Sequence, residues 1–487
     1  MKILMVYPEC PDSFWSYKHV ISHLGKKSCI PPLGLMTIAA ILPAEFEKRL
    51  VDMNATKLTD EDIKWADFVF ISAMIVQKDS SLAVIKRCKE LGVKTVAGGP
   101  LFTSLHEQFE DVDHFIINEG EVTIPMFLED LKNGELKRIY SSDVKPDIQN
   151  TPIPHYNLID HNDYYIMPLQ SSRGCPFDCD FCDIVNLNGR VPRTKTPEQI
   201  INELQAIHDM GWRKSIFFVD DNFLGDKPRT KELLRKIIEW KKNTDFRSLF
   251  FTEISINASD DDELLGLMRD AGFFFVFVGI ETPSTEALQE CNKFQNQNRD
   301  LVSSIRKFYE YGMEVTGGFI IGFDSDDETI FDRQFEFIQK VGVSKAMIEL
   351  LQALPGTKLY KRLEAEGRLL KTSSGVNSDS TINFIPKLDK KILVDGYDKL
   401  IKKAYSPKYY FERLNNFLKY YEPTKPKPLH KVIIPSLLKI YFFHKHSTKG
   451  HFHFWKLIIE TLLKRPKCMP AALSNSVLYI HFGKVLD

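Results

Sequence analysis

Residues 172–182 read Ser-Arg-Gly-Cys-Pro-Phe-Asp-Cys-Asp-Phe-Cys and place Cys175, Cys179 and Cys182 within eight consecutive positions. The stretch directly follows an apolar segment, residues 167–171, that has the length of a buried strand. Three thiolates in so short a loop can bind three irons of a [4Fe-4S] cubane, because thiolate is the soft ligand that such clusters require. The fourth iron then has no protein ligand and stays open to a chelating substrate.

A zinc knuckle is the alternative use of these cysteines. It needs a fourth Cys or His at comparable spacing, whereas Asp183 is a poor substitute and no His lies nearby. The five remaining cysteines are widely scattered, which favours small buried side chains over a disulfide framework. They are Cys10, Cys29, Cys88, Cys291 and Cys468. The spacing therefore favours the cluster.

The segment around and after this loop repeats one unit, a short apolar strand followed by an amphipathic helix. The predicted strands are 167–171, 215–219, 248–253, 274–279, 315–322 and 346–351, and helical patterns cover 197–210, 230–241, 261–271, 301–311 and 328–341. Such alternation predicts parallel strands covered by helices. Six repeats predict a partial (β/α)6 barrel in residues 165–385, with functional side chains where strands pass into loops at one rim.

Residues 1–140 show a second alternation of strands and helices. The predicted strands are 3–7, 68–73, 95–97 and 115–118, and the predicted helices are 35–42, 80–91 and 123–131. We expect a Rossmann-like parallel sheet whose ligand crevice lies at the carboxyl ends of its strands. A polar, proline-marked linker, residues 141–164, leads from this α/β domain into the barrel.

The remaining region, residues 386–487, is predicted to be helical, basic and aromatic. Residues 401–487 carry 16 Lys or Arg against 4 Asp or Glu, although the whole chain has a net charge of −1. Basic aromatic helices can lie at an anionic membrane surface, and a solvated helical cap over the barrel is the alternative. The cations singled out are Lys402, Lys403, Lys408, Arg413, Lys419, Lys425, Lys427 and Lys431, and a second basic group follows at Lys464, Arg465 and Lys467.

Composition and hydropathy limit the possible classes and locations. A hydrophobic content of 43% excludes a disordered or fibrous protein. No signal-peptide core is present, and no stretch reaches the roughly 18 to 20 apolar residues of a membrane span. We therefore expect a cytoplasmic protein with peripheral contact at the inner membrane surface through the basic tail. No recognisable nucleic-acid-binding module accompanies the charge, so we expect no nucleic acid partner.

The cysteine spacing, the aromatic Phe181 before the last cysteine and the preceding strand resemble the CxxxCxxC signature of the radical S-adenosylmethionine (SAM) superfamily. The resemblance extends over about residues 165–370. It implies that SAM chelates the open iron and that Phe181 lies beside the adenine. Successive strand ends resemble further SAM contacts of the family, namely Asp220 and Asp221, then Glu253, then Glu281, and finally Gly317 with Gly318. Each of these positions alone has a structural alternative, such as a helix cap, a satisfied buried polar group or close strand packing.

The amino-terminal domain resembles the cobalamin-binding domain that precedes the barrel in one large radical SAM class. The resemblance rests on three segments, 31–35, 97–100 and 118–121, which read Pro-Pro-Leu-Gly-Leu, Ala-Gly-Gly-Pro and Asn-Glu-Gly-Glu. It implies a cobalamin site lined by Ser72, Gly98, Gly99, Glu119 and Gly120. The Asp-x-His-x-x-Gly signature of a lower-axial histidine is absent, as is usual in that class. A domain that holds no corrin and only packs on the barrel is the alternative.

The whole layout resembles the group that includes the hopanoid C-2 methylases, with local likeness at residues 12–16, 219–223 and 354–357. This implies a cobalamin-dependent methyltransferase that cleaves SAM to a 5'-deoxyadenosyl radical and methylates an unactivated carbon. The implied substrate is a small molecule or a lipid such as a hopanoid, and the implied electron donor is flavodoxin- or ferredoxin-like. Two alternatives stay open. One is a radical SAM enzyme that catalyses a rearrangement, cyclisation or coupling, and the other is a non-enzymatic metal-binding module.

Overall fold

The structure is a computed structural model, and it describes residues 1–14, 16–376, 380–424, 438–441, 443, 445 and 450–485, without the side chains of residues 19 and 23. Four residues of the sequence analysis, Trp15, Lys425, Lys427 and Lys431, lie outside the described residues. The described chain forms two six-stranded parallel sheets followed by a helical region. The predicted fold class is confirmed.

The amino-terminal part is a parallel sheet with helices on both faces. Its strands are β1 (Lys2–Tyr7), β2 (Glu47–Asp52), β3 (Phe68–Ser72), β4 (Lys94–Gly98), β5 (His114–Ile116) and β6 (Ile139–Tyr140), and its helices are α1 (Lys18–Ile21), α2 (Leu33–Ile41), α3 (Asp60–Trp65), α4 (Lys78–Glu90), α5 (Pro100–Leu105) and α6 (Gly120–Asn133). The strand order is β2-β1-β3-β4-β5-β6. Ser72 pairs with Gly98, which in turn pairs with Ile116, so the carboxyl ends of β3, β4 and β5 meet at one edge.

The second sheet is the predicted partial barrel. Its strands and the short ribbon beside it are β7 (Met167–Leu169), β8 (Ser172–Arg173), β9 (Arg193–Thr194), β10 (Ile216–Phe218), β11 (Phe250–Glu253), β12 (Phe273–Glu281), β13 (Glu314–Ile321) and β14 (Lys345–Leu350). The helices are α7 (Ile184–Asn188), α8 (Pro197–Asp209), α9 (Lys227–Lys242), α10 (Asp262–Ala271), α11 (Thr285–Glu290), α12 (Leu301–Glu310), α13 (Ile330–Val341) and α14 (Lys358–Ala365). The order β14-β13-β12-β11-β10-β7 puts the first and last strands at opposite edges, so the barrel is open, while β8 and β9 form a separate antiparallel ribbon.

The two faces of the barrel sheet differ in burial. Consecutive strand residues point to opposite faces, and the set that packs under the helices, such as Phe218, Val278 and Phe319, is fully buried. The other set lines the barrel interior and is only half-buried. It consists mainly of apolar side chains with two carboxylates, and its members are Phe217, Phe251, Glu253, Phe277, Ile320, Met347 and Glu349. The rings of Phe217 and Phe251 stack with centroids 4.6 Å apart.

The helical region closes the end of the barrel where its strands begin. Its described helices are α15 (Lys390–Ala404), α16 (Pro407–Tyr420), α17 (His451–Lys464) and α18 (Met469–Val485). Asn475 Nδ2 of α18 donates a hydrogen bond to Glu314 Oε2 at the start of β13, at 3.2 Å. Phe482 of α18 stacks on Phe14, with ring centroids 4.8 Å apart. Among the described residues no helix is long and apolar enough to cross a bilayer.

The expectation that Arg413 is a surface cation of the basic tail is wrong. Its side chain is fully buried in α16. Nε donates to the carbonyl of Val343 at 3.0 Å, and Nη1 donates to the carbonyl of Ala404, the last residue of α15, at 2.8 Å. Main-chain carbonyls at a helix end lack intrahelical partners, and a guanidinium can satisfy them while its charge interacts with the helix dipole. Arg413 therefore joins helices and is unavailable to a membrane.

Candidate active site

The cysteine loop starts from the β8–β9 ribbon and is held there by backbone hydrogen bonds. Gly174 has a φ of +94°, and a Cβ at this position would lie 3.0 Å from the carbonyl oxygens of Gly189 and Val191, so the turn requires glycine. Cys175 N donates to Gly189 O at 3.2 Å. The Asp221 carboxylate accepts a hydrogen bond from Gly174 N at 2.7 Å and thereby fixes the entry of the loop.

The surroundings of the three sulfurs fit a cluster. Asn222 Nδ2 lies 3.7 Å from Cys175 Sγ, and Gln295 Nε2 lies 3.7 Å from Cys179 Sγ, so each amide donates a hydrogen bond to a predicted cluster ligand. Hydrogen bonds to cluster sulfurs are one means by which proteins set the reduction potential. Burial raises the pKa of the Cys175 and Cys182 thiols, so iron binding must displace their protons.

Zinc and a cubane differ in how they arrange their ligands. Within the part of the chain that the structure describes, no group of three or more His, Cys, Asp or Glu side chains is arranged to hold a metal ion. A zinc knuckle gathers four ligands around one ion. A cubane instead takes one thiolate at each of three irons, so its ligands need not converge on a point.

A buried ion pair lies beside the cysteine loop. Lys293 Nζ is 2.6 Å from Glu281 Oε1, and both side chains are nearly inaccessible to water. Lys293 Nζ also lies 5.8 Å from the centroid of the Phe181 ring. Burial alone would lower the pKa of Lys293, but attraction to Glu281 and to Cys179 raises it above its usual range. Lys293 therefore holds a permanent positive charge next to the predicted cluster ligands.

The two neighbouring aspartates predicted at the second strand end hold the backbone. Asp220 is fully buried and accepts hydrogen bonds from the backbone and hydroxyl of Ser171 and from the Ser172 hydroxyl. Burial raises the pKa of Asp220 to about 6 although these hydrogen bonds oppose the rise. Asp221 accepts bonds from Gly174 N and from Asn188 Nδ2. Both carboxylates thus position the segment that leads into the cysteine loop.

Glu253 differs from these aspartates because no described residue donates a hydrogen bond to its carboxylate. It lies at the end of β11 on the interior face of the barrel. Burial, and then repulsion by Asp221 and Asp220, raises the pKa of Glu253 to about 7. A carboxylate that lacks a protein partner and faces the barrel interior is available to a bound cofactor or substrate.

The glycines predicted at the fifth strand lie against aromatic rings. A Cβ at Gly318 would come within 2.9 Å of the Phe277 ring, and a Cβ at Gly317 would come within 2.8 Å of the Phe319 ring. Gly318 is on the interior side and Gly317 on the helix side, because consecutive strand residues alternate. Gly318 therefore makes room for the Phe277 ring on the interior side, and Gly317 for the Phe319 ring on the helix side.

Glu119 connects the two sheets. Its carboxylate lies 2.8 Å from Arg173 Nη1 and 2.7 Å from Arg193 Nη2, the two arginines that pair across the β8–β9 ribbon. Glu121 lies 2.7 Å from Arg173 Nη2. The attraction of Arg173 lowers the pKa of Glu121 although burial opposes this. We call Glu119, Glu121, Arg173 and Arg193 the clamp, since they join the start of α6 to the ribbon that carries the cysteine loop.

The other residues predicted for cobalamin meet at the carboxyl edge of the first sheet. Gly99 has a φ of +88°, and a Cβ there would lie 2.7 Å from Ser72 Oγ. A Cβ at Gly98 would lie 3.0 Å from the Ile116 carbonyl, and one at Gly120 would clash with the Ile38 side chain. Small residues thus keep these turns packed closely on their neighbours, which leaves an edge of backbone and small side chains suited to a broad, flat ligand.

Comparison with known protein families gives three matches along the chain. The radical SAM superfamily matches residues 169–335, a B12 binding domain matches residues 26–128, and a domain of unknown function (DUF4070) matches residues 357–487. The hopanoid C-2 methylase of Rhodopseudomonas palustris is 32% identical over 477 residues, which are 95% of this chain and 90% of that protein. This chain belongs to the cobalamin-dependent radical SAM methyltransferases.

Further relatives agree with this membership. An uncharacterised methyltransferase of Synechocystis sp. is 40% identical over 443 residues, 90% of this chain and 82% of the relative. Among solved structures, the cobalamin-dependent SAM radical enzyme OxsB with aqua-cobalamin and SAM bound has a TM-score of 0.64 at 15% identity, over 100% of this chain and 84% of that one. The radical SAM methyltransferase TsrM of Kitasatospora setae has a TM-score of 0.62 at 13% identity, over 77% and 79% of the two chains. These two structures share the fold.

The enzyme is therefore a methyltransferase whose cofactors are a [4Fe-4S] cluster, SAM and cobalamin. When bound, the cluster would supply the electron for reductive cleavage of SAM, and cobalamin would supply the methyl group. The described residues fit both groups, with the cysteine loop at one rim of the barrel and the glycine turns at the edge of the first sheet. The non-enzymatic alternative is excluded by this membership.

Several residues of the site were missed by sequence reasoning. Asn222, Lys293 and Gln295 approach the cysteines in space but lie far from them in the sequence. Asn222 directly follows Asp220 and Asp221, so its position at a strand end was a usable signal. Lys293 and Gln295 follow α11, and no local pattern indicates that this segment turns back to the cysteine loop.

Proposed function

We propose that this enzyme methylates an unactivated carbon of an apolar ring lipid, a hopanoid or a molecule of similar skeleton. The proposal rests on the barrel interior, which is lined by apolar side chains that remain partly accessible to solvent. They are Phe217, Phe251, Phe277, Ile320 and Met347. Partly exposed apolar side chains gain the most from burial against a hydrocarbon. The similarity to the hopanoid C-2 methylase over 95% of the chain supports the same substrate class.

We also propose roles for the individual residues of the site. Cys175, Cys179 and Cys182 hold the cluster, while Phe181, Glu253, Glu281 and Gly318 line the SAM site. Asp220, Asp221 and Gly317 support that site through the backbone, since their contacts are with the protein itself. Ser72, Gly98, Gly99 and Gly120 line the cobalamin edge, and Glu119 positions it against the cysteine loop.

A direct product assay tests the substrate. Anaerobically reconstituted enzyme with cobalamin, SAM that carries a deuterated methyl group, a strong reductant and a detergent-dispersed hopanoid should yield a lipid heavier by one labelled methyl group. Replacing Phe251 by Asn should raise KM for the hydrocarbon more than it lowers kcat, because the change makes the interior face polar. If the enzyme methylates a soluble peptide or polar metabolite and leaves the hopanoid unchanged, the lipid proposal is wrong.

The electron donor and the location are part of the same proposal. We propose a flavodoxin- or ferredoxin-like donor, since reductive SAM cleavage consumes one electron at low potential. Reduced flavodoxin or ferredoxin should replace the chemical reductant in the formation of 5'-deoxyadenosine. We further propose that the enzyme works as a peripheral protein at the membrane surface, where an apolar substrate is found.

A further inference from the structure

Helix α17 carries apolar side chains on two opposite faces. On one face, Phe454, Leu457 and Ile458 are buried against the protein, and the Phe454 ring stacks on Phe443 with centroids 4.2 Å apart. The other face is exposed to solvent. Its side chains have large accessible fractions: Phe452 75%, Trp455 40%, Ile459 53%, Leu462 55% and Leu463 77%.

These five side chains form one continuous surface, which we call the α17 stripe. Their spacing of three, four, three and one residues places them within an arc of about 100° on a helix that turns 100° per residue. Single exposed apolar residues are common, but a contiguous apolar surface of this kind marks a site of interaction. The helix is hydrophobic on both sides, which a solvated helix is not.

The charges around the stripe define the partner. Residues 450–485 contain five Lys or Arg against one Glu. Lys456, Lys464 and Lys467 are exposed. The single acid, Glu460, accepts a hydrogen bond from Asn415 Nδ2 at 2.9 Å. An apolar stripe flanked by exposed lysines is complementary to a surface with negative charge outside and hydrocarbon beneath.

We propose that α17 docks the enzyme on an anionic lipid bilayer, with the helix in the plane of the interface and the α17 stripe among the acyl chains. A helix of 14 residues is about 21 Å long, too short for the roughly 30 Å hydrocarbon core, so it lies on the membrane and does not cross it. The inference deepens the proposed lipid-directed function and rests on it for its purpose, but its physical basis is independent.

The docking helix carries the second basic group of the tail, whereas the described cations of the first basic group lie on α15 and α16. Lys403 pairs with Asp332 at 3.1 Å and lies over the Phe335 ring at 4.1 Å, and Arg413 is buried. Lys402 and Lys408 are exposed, but no comparable stripe of exposed apolar residues accompanies them within described α15 and α16. On α17, exposed cations lie beside an exposed apolar stripe. We expect this combination to insert the helix into the surface of a bilayer.

A second copy of the chain is a weaker occupant for the stripe. Two stripes packed together would bring Lys456 and Lys464 of both copies to the edges of one interface, with few acids to offset their repulsion. An anionic bilayer instead offers a negative headgroup to each of these lysines.

Vesicle sedimentation tests the docking directly. Cofactor-loaded enzyme should bind vesicles of phosphatidylglycerol with phosphatidylcholine and should bind phosphatidylcholine alone much less, all without substrate. The triple variant Phe452→Gln, Ile459→Gln, Leu463→Gln should weaken binding by at least roughly tenfold, since each side chain loses its burial in hydrocarbon. The variant Lys456→Gln, Lys464→Gln, Lys467→Gln should lose roughly fivefold for each cation at low salt, and less at high salt.

Two matched control variants change the same chemistry elsewhere on the surface. Leu82→Gln, Met126→Gln, Leu249→Gln removes three apolar side chains that are 40%, 40% and 45% exposed. Lys402→Gln, Lys408→Gln removes two exposed cations outside α17. Both controls should bind anionic vesicles within about twofold of the wild type. Brominated lipids should quench Trp455 fluorescence, and the quenching should vanish in Trp455→Phe.

Several outcomes overturn the proposal. The docking is wrong if the wild type does not bind anionic vesicles at low salt, or if the α17 stripe variant binds them as well as the wild type does. A wild-type dimer or protein complex that dissociates in the stripe variant, with vesicle binding unchanged, shows that α17 is a protein interface. Methylation of a detergent-dispersed hopanoid is measured separately. If the hopanoid is methylated but the enzyme does not bind vesicles, only the docking proposal is wrong. If the enzyme binds vesicles but does not methylate the lipid, only the proposed substrate is wrong.

Discussion

The Nζ of Lys293 lies 2.6 Å from Glu281 Oε1, and this buried pair is next to the loop that carries the three predicted cluster ligands. Glu281 takes a left-handed backbone conformation, with a φ of +67°, at the end of β12. Strained backbone of this kind persists only where its surroundings determine it, and it is frequent at functional sites. The pair places a fixed positive charge beside the cysteines and balances it with one carboxylate.

We predict that Lys293→Met lowers the midpoint potential of the cluster. A cation beside the ligands stabilises the reduced, more negative state, so its loss should shift the potential down by roughly 50 mV, which corresponds to about 1.2 kcal/mol for one electron. Redox titration followed by EPR measures the shift. Lys293→Arg keeps the charge and should stay close to the wild type.

The same variant leaves Glu281 buried without a partner, which should cost about 3 to 5 kcal/mol of unfolding free energy. The double variant Lys293→Met, Glu281→Gln should recover most of that stability, with a potential between those of the wild type and the single variant. An unchanged potential in fully loaded Lys293→Met would mean that the pair only supports the fold.

We predict that Glu119→Gln weakens the clamp, so that the amino-terminal domain unfolds at a lower temperature than the barrel. The change keeps the shape of the side chain but leaves the partly buried Arg173 and Arg193 with less negative charge, at a cost of about 2 kcal/mol because Glu119 itself is buried. Anaerobic scanning calorimetry should then resolve a separate, earlier transition for the amino-terminal domain. Glu47→Gln, an exposed glutamate on β2, is the matched control and should unfold like the wild type. A single transition at the wild-type temperature in Glu119→Gln would contradict the clamp.

We predict that iron binding depends on the three cysteines of the loop and not on Cys291, whose backbone contacts that loop. Replacing Cys175, Cys179 or Cys182 by Ala should abolish both the cluster and the formation of 5'-deoxyadenosine. Cys291→Ala is the matched control, since Cys291 is buried and its carbonyl accepts a hydrogen bond from Asp180 N within the loop. It should retain iron and SAM cleavage. Stoichiometric zinc without iron-dependent SAM cleavage would falsify the assignment of the loop.

We predict that Glu253→Gln stabilises the fold at high pH. The folded pKa of about 7 is above the ordinary value of 4.5, so the wild type pays no penalty below about pH 4.5, and the penalty grows up to about pH 7. At 1.36 kcal/mol per pKa unit, the full penalty would be about 3.4 kcal/mol. Because the Glu253 side chain is part-exposed, we expect a smaller penalty of about 2 kcal/mol at pH 8. Anaerobic urea unfolding of both proteins at pH 5 and pH 8 checks this. A stability difference that does not change with pH would contradict it.

The strands of the barrel could be predicted because their apolar runs are long and each is followed by an amphipathic helix. Strand β2 was missed since its sequence, Glu-Lys-Arg-Leu-Val-Asp, is mostly charged, and it can be so because β2 lies at the edge of the sheet with one side of its backbone unpaired. Strand β6 has only two residues and no pattern to detect. A central parallel strand is buried on both faces and is recognised by its continuous apolar run, whereas the edge strands β2 and β6 lack such a run.

The site could be predicted from the sequence only where its residues are close together in the chain. The three cysteines are close in sequence, so their chemistry could be inferred, and the strand-end positions followed from the repeat. The direction of each carboxylate could not be inferred, because Asp220 turns to Ser171 and Glu119 turns to Arg173 through contacts across 49 and 54 residues. Arg413 shows the opposite error, since a charged residue in a basic tail predicts exposure and only the tertiary structure shows which carbonyls it reaches.

The contact between His481 of α18 and Phe14 joins residues 467 positions apart. During translation, the ribosome releases the segment around Phe14 first and α18 long after the barrel strands. Until α18 arrives, Glu314 lacks its hydrogen bond from Asn475 and the ring of Phe14 lacks its stacking with Phe482, and nascent chains with incomplete packing are prone to aggregate. Heterologous production should therefore benefit from slow synthesis and chaperones. A carboxyl-terminal truncation that removes α18 should give insoluble protein even though every cofactor-binding residue proposed above is retained.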